Sequence, residues 1–230
     1  MNKPNDLILP HGGYRKLRSF VVSLACYDGT VIFCNRFIGS HSRTKDQMVQ
    51  AARSGVQNIA EGSLASAISK KTELKLTNVA RASLGELIRD FEDYLRQNQL
   101  QIWAKDAPKV QAMRARLAGK IPGRSDQSDQ SDRSEFFDEP LLAALRALET
   151  ATAEVCANIM LCLTHQASYL LSRQLRRLES DFVENGGFTE RLYHYRKEQR
   201  GGEKVKEEEA IYSDKSDQSD QSDQSDLSEF

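Results

Sequence analysis

The chain has 230 residues, 39% hydrophobic and 28% charged, enough for one substantial domain with an appendage. No stretch approaches the roughly 18 consecutive apolar residues of a membrane span. Met1 to Gly13 hold only the short apolar run Leu7, Ile8, Leu9, too little for the core of a signal peptide, so a cytoplasmic location is expected. The formal net charge of −1 conceals a segregation: residues 1–120 carry 19 Lys and Arg against 10 Asp and Glu, whereas residues 201–230 carry 3 against 10. A basic body attracts polyanions, and an acidic tail competes for the same surface.

In chain order, Leu17, Phe20, Leu24, Tyr27, Val31, Cys34 and Ile38 alternate steps of three and four. This heptad seam predicts a first helix from about Tyr14 to Ile38, packed at a shallow left-handed angle. Gly29 interrupts it at a cost of about 1 kcal/mol relative to Ala, which suits a close approach by a neighbour. Thr44, with Gln47 three residues on, reads as the capping box of a second helix. Its inner face is small (Met48, Ala51, Ala52, Gly55, Val56, Ile59), and it is expected to end near Ala60, before Gly62. A third helix is expected over about Ser69 to Asn98, with Leu76, Ala80, Leu84, Leu87, Phe91 and Tyr94 on one face. A short amphipathic segment follows over Ala107 to Leu117, and Gly119, Pro122 and Gly123 break the chain.

Ser125-Asp-Gln-Ser-Asp-Gln-Ser-Asp-Arg-Ser-Glu-Phe136 recurs as residues 219–230, differing only at Arg133 against Leu227. Such low-complexity tracts lack the apolar residues that offset ordering entropy and are expected to be disordered. Expansion of a short coding repeat at a tolerant loop is favoured over a decoy or docking tag. A fourth helix opens at Glu139-Pro140. Leu141, Leu145, Leu148, Thr152, Val155, Ile159, Cys162, Gln166 and Tyr169 carry its seam, and the pattern continues to about Glu184. About 45 helical residues would be about 70 Å long, so this helix either overhangs its partners or bends near Thr164-His165.

The reading is an all-α, antiparallel, up-down-up-down four-helix bundle from 14–118 and 139–165. It has an inserted disordered linker at 119–138, a helical extension over 166–200 and a disordered acidic tail over 201–230. The four cysteines, Cys26, Cys34, Cys156 and Cys162, form no C-x-x-C pair and read as reduced core residues. No catalytic motif, phosphate loop or metal-ligand spacing occurs, so no catalytic residue, metal or cofactor is expected.

Two segments resemble a known family. Ala52-Arg-Ser-Gly-Val-Gln-Asn-Ile-Ala-Glu-Gly62 and Val79-Ala-Arg-Ala-Ser-Leu-Gly-Glu-Leu87 are similar to the second- and third-helix signatures of bacterial four-helix-bundle proteins of the large-subunit rRNA intervening-sequence type. The stretch from His165-Gln-Ala-Ser-Tyr-Leu-Leu171 to Gly186-Gly-Phe-Thr-Glu-Arg-Leu192 resembles a C-terminal suffix on one branch of that family. The same bundle resembles the accessory variability determinant of diversity-generating retroelements. That resemblance implies a homo-oligomer, a pentameric ring, with RNA or DNA and a reverse transcriptase as partners. The acidic linker and tail depart from it.

Asn58 and Glu61, three apart on a small-residue helix with Arg53 one turn before, read as a polar link that fixes helix register rather than as a catalytic pair. The candidate nucleic-acid contacts are Arg15, Lys16 and Arg18 at the start of the first helix, Lys70, Lys71 and Lys75 at the start of the third, and Arg81 and Arg89 along it. In an alternating bundle both starts lie at one end and make one patch. Cations at a helix N-terminus oppose the dipole, which favours a binding use over a stabilising one. The expected function is therefore a non-enzymatic, homo-oligomeric adaptor for structured nucleic acid or a nucleoprotein. The alternative is a protein–protein assembly module using Leu170, Leu171, Leu175, Leu178 and Phe182.

Overall fold

The structure, a computed structural model, describes residues 13–117 and 137–186, with 192–193 and 195–197. The Ser-Asp-Gln tracts, the tail and most of the expected extension beyond Gly186 lie outside the described residues. The chain divides into two units, one spanning Leu9–Asn185; in the other, 192–193 and 195–197 are helical. Every regular element among the described residues is helical. A 3₁₀ turn (Tyr14–Lys16) leads into α1 (Arg18–Phe37), followed by α2 (Arg43–Ala65), α3 (Lys70–Gln97), α4 (Pro108–Leu117), α5 (Glu139–Thr150) and α6 (Ala153–Asn185). No helix among the described residues is long and apolar enough to cross a membrane.

α1, α2, α3 and α6 line the main part of one core that α4 and α5 also enter. α1 packs on α2 and α6, and α3 packs on the same two. Along each contact the residue numbers run in opposite senses. Ser19 meets Gln174, Gly29 faces Met160, and Arg36 reaches Cys156. Ser54 meets Ser83, and Gly62 faces Leu76. Lys70 meets Asp181, and Gln101, just past α3, meets Glu154. α4 lies on α6 and α5, and α5 lies on α1 and α6.

Local chemistry explains most boundaries. Ser69 caps α3 by accepting the Thr72 N–H at 3.1 Å, as its position suggests. α3 ends on Gln99 at φ 57°, and the Leu100 N–H returns to the Leu95 carbonyl, a Schellman-type closure usually given to Gly. α2 begins one residue before the expected Thr44, with Ser42 as N-cap. It also runs past Gly62, which is buried inside it: a Cβ there would lie 3.3 Å from Leu76 Cβ and 3.4 Å from the Glu73 carbonyl. Gly62 is thus a contact point between α2 and α3, not a terminator.

The expected single fourth helix is two. The break falls at Ala151-Thr152, not near Thr164-His165. Ala151 is extended, and Thr152 Oγ1 accepts from the Val155 N–H at 3.5 Å. The Arg36 guanidinium crosses from α1 to donate to the carbonyls of Leu148 and Ala151, the latter at 3.0 Å. A cation on the orphan carbonyls of a helix C-terminus is favourable twice over, by hydrogen bonding and by the dipole. The break explains another feature. Cys156 through Thr164 are buried without interruption. A helix apolar all round needs neighbours all round, and folding α5 and α4 back onto α6 supplies them.

Candidate nucleic-acid interface

α3 turns Glu73, Thr77, Ala80, Leu84, Leu87, Phe91 and Leu95 inward, which leaves Lys71, Lys75, Arg81 and Arg89 exposed. Arg81 donates to Asn78 Oδ1 at 3.0 Å, which holds it along the helix. Arg89 lines a shallow cleft of about 510 Å³ between α2 and α3, with Gln47, Gln50, Ser54, Glu86 and Asp90. Burial raises the Asp90 carboxyl above its ordinary value; Glu86 and Asp93 add to the rise and Arg89 opposes it. The first half of this face is basic. The second half mixes Arg89 and Arg96 with Glu86, Asp90, Glu92 and Asp93, and Arg96 is tied to Asp93 at 2.7 Å.

The other candidates divide. Arg15 and Lys16 are exposed in the 3₁₀ turn, with the Arg15 guanidinium 5.9 Å from the Tyr14 ring centroid. Arg18 is held at 2.8 Å by Asp138 and donates to the Leu117 carbonyl at 3.1 Å, so one guanidinium joins the end of α4 to the start of α5. Lys70 lies between Glu73 at 3.3 Å and Asp181 at 3.4 Å, linking the start of α3 to the last turns of α6. These two cations are engaged in holding helices together. Arg15 and Lys16 are exposed, as are Lys71, Lys75, Arg81 and Arg89 on α3.

The α2 motif resolves differently from its parts. Asn58 donates to the Ser54 carbonyl at 2.8 Å and to Ser54 Oγ at 3.1 Å, and Ser54 Oγ lies 3.0 Å from Ser83 Oγ. The link between α2 and α3 therefore runs through a serine pair, while Arg53 and Glu61 are exposed. Serines at positions 54 and 83, one on each matched segment, were the available signal.

Thiol chemistry is disfavoured. All four cysteines are buried and free. Burial pushes the Cys26 and Cys34 thiols up to about 12 and also raises Cys156 and Cys162. His165 is exposed; partial desolvation lowers its pKa, Glu92 raises it, and Lys105 and Arg114 lower it further. Among the described residues no group of three His, Cys, Asp or Glu is placed to hold a metal ion.

Sequence reasoning passed over two side chains that organise the fold. Arg36 is the first. Asn158 is the second: buried in α6, it accepts the Trp103 N–H and donates to the Gln101 carbonyl, both at 2.8 Å, pinning the chain after α3. It also passed over Arg173, Arg176 and Arg177, all exposed on α6; their signal was the lack of any Asp or Glu between Glu154 and Glu179. No protein-family model matches the chain, and no curated protein or solved structure matches it.

Proposed function

We propose that the chain is an antiparallel up-and-down four-helix bundle, α1, α2, α3 and α6, acting in the cytoplasm as a non-enzymatic, homo-oligomeric adaptor for structured nucleic acid or a nucleoprotein. The observation that carries this reading is the set of exposed cations on one side of α3, Lys71, Lys75 and Arg81, on a body with nine more basic than acidic residues over 1–120. Such a surface neutralises phosphates without reading bases. The resemblance of 52–62 and 79–87 to the rRNA intervening-sequence bundle proteins supports it, and the resemblance of the bundle to the accessory variability determinant of diversity-generating retroelements adds a pentamer and a reverse transcriptase partner to the proposal. The test is binding of labelled structured RNA and duplex DNA by the full chain over a salt series. Replacing Lys71 and Lys75 by Gln should lower the duplex log–log slope by about 1.8, at about 0.9 per lost phosphate contact. Absence of salt-sensitive binding near physiological ionic strength would refute the reading.

One observation favours the assembly reading as well. Leu175, Leu178 and Phe182 are only half-buried at the end of α6, and Val183 beside them is 78% exposed. Leu171 is fully buried, so cutting the chain after His165 would strip the core. Leu178→Ser with Phe182→Ser is the cleaner test. A fall in native mass with nucleic-acid binding retained would assign these turns to self-association.

A further inference from the structure

We infer that the outward stripe of α6, with the basic end of α4 beside it, is a docking surface for single-stranded nucleic acid. This rests on the nucleic-acid reading above but concerns a different face of the molecule. His165, Tyr169, Arg173 and Arg176 follow one another at helical spacing, and all four are exposed. At 1.5 Å per residue the stripe is about 16 Å long. α4 packs against α6, and Arg114 on α4 and Lys105 just ahead of it are near enough for their charges to act on His165, as Arg114 also acts on Cys162. Glu92 is the carboxylate that faces His165 from α3.

Charge distinguishes this face from the second half of α3. From Val155 to Leu178 α6 carries no Asp or Glu, and from Ala107 to Leu117 α4 carries none either. The second half of α3 presents four carboxylates within eight positions, Glu86, Asp90, Glu92 and Asp93. A polyanion approaching the second half of α3 meets both signs; one approaching α6 over 155–178 meets cations, with Glu92 the carboxylate beside His165.

Tyr169 gives the surface its preference. It is 56% exposed in a helix that hides most of its apolar side chains, and Arg173 lies one turn away. An exposed ring flanked by a guanidinium is a stacking platform, and only an unpaired base can use it. Along a duplex the base faces are stacked on one another and closed to the ring.

The test uses the full chain with fluorescein-labelled oligouridylate, oligodeoxythymidylate and a duplex of equal length, followed by anisotropy over a salt series. Arg173→Gln with Arg176→Gln should lower the single-strand slope by about 1.4, at about 0.7 per phosphate contact. Tyr169→Leu should weaken single-strand binding about tenfold with the slope unchanged and leave duplex binding as it was. All three positions are on the surface, and far-UV circular dichroism checks that the helices persist. If the arginine pair binds like wild type while Lys71→Gln with Lys75→Gln weakens binding, this surface is wrong and the adaptor reading survives. If Tyr169→Leu has no selective effect on the single strand, the stacking assignment is overturned. If the full chain binds none of the probes, both readings fall.

Discussion

The two ends of the main core are built from different chemistry. At one end Phe33 packs against Phe37, Phe91 and Tyr94, with ring centroids 4.9 to 5.2 Å apart, and Met48 and Leu95 are fully buried nearby in the chain. At the other, where α1 and α3 start and α6 ends, the interior holds Ser19 bonded to Gln174 at 2.6 Å, the buried hydroxyl of Ser23, Thr77, and Glu73 beside Lys70. Apolar burial stabilises at roughly 25 cal/mol per Å², while a buried hydrogen-bonded pair adds only about 1 kcal/mol and an unpartnered polar group costs about 1–3 kcal/mol. The aromatic end therefore carries the stability. The polar end carries the exposed Lys71 and Lys75, and the second half of α6 brings Arg173 and Arg176 toward it. Regions of low local stability are where surfaces that must accommodate a partner are placed.

This comparison can be broken by mutation. Phe91→Ala should cost about 3–5 kcal/mol in chemical denaturation, because it opens a cavity against Phe33 in the densest part of the core. A loss under about 1 kcal/mol would mean that the aromatic end is not the stabilising one. Gly29→Ala tests the seat that α5 and α6 share on α1. The added Cβ would lie 2.6 Å from Met160 Sδ and 2.9 Å from Leu148 Cδ1, so a destabilisation of about 1–3 kcal/mol is expected. Met160 is a flexible side chain, which sets the effect toward the lower value.

Two smaller effects probe the polar end. The Ser23 hydroxyl is buried and has no hydrogen-bond partner among the described residues. Ser23→Ala should leave stability unchanged or raise it by about 1 kcal/mol. A clear loss would reveal a partner for that hydroxyl. Glu73 sets a pH dependence. Burial is the main reason that its carboxyl titrates above the ordinary value of 4.5; Lys70 pulls it down and Asp181 pushes it up. The folded chain then holds that proton at a higher pH than the unfolded chain does. Its contribution to stability is fully present below about 4.5 and is lost as the pH rises through the folded value. Wild type should thus gain stability relative to Glu73→Gln as the pH is lowered from 7 toward 4.5, read as the difference between their denaturation midpoints. A constant difference would show that Lys70 cancels the combined effect of burial and Asp181.

Much of the fold was legible because it is periodic. The spacing of Leu17 to Ile38 and of Leu76 to Tyr94 marks two helices, and α3 (Lys70–Gln97) falls within the expected Ser69 to Asn98, but Leu24, Tyr27 and Val31 are only half-buried while Val22, Cys26 and Phe33 line the core. The α5–α6 break was missed because the heptad passes through it in phase: Thr152 occupies a seam position and caps α6 at once. Its signal was weak, a Thr two residues ahead of Glu154. Gly62 misled because glycine near the end of a helical pattern reads as a stop, and only the distance to Glu73 and Leu76 shows that it is a contact. The candidate interface was less legible. Types and spacing pick out cations, but whether Arg18 and Lys70 are spent on Asp138, Glu73 and Asp181 depends on residues up to 120 positions away.

Amide hydrogen exchange of the full chain, with and without a structured RNA that includes a single-stranded loop, tests the central claim most directly. Added protection is predicted over 70–81 at the polar end and along 165–181 of α6, with exchange at 33–37 unchanged. A footprint confined to the aromatic end, or none at concentrations where charge-driven binding saturates, would contradict it.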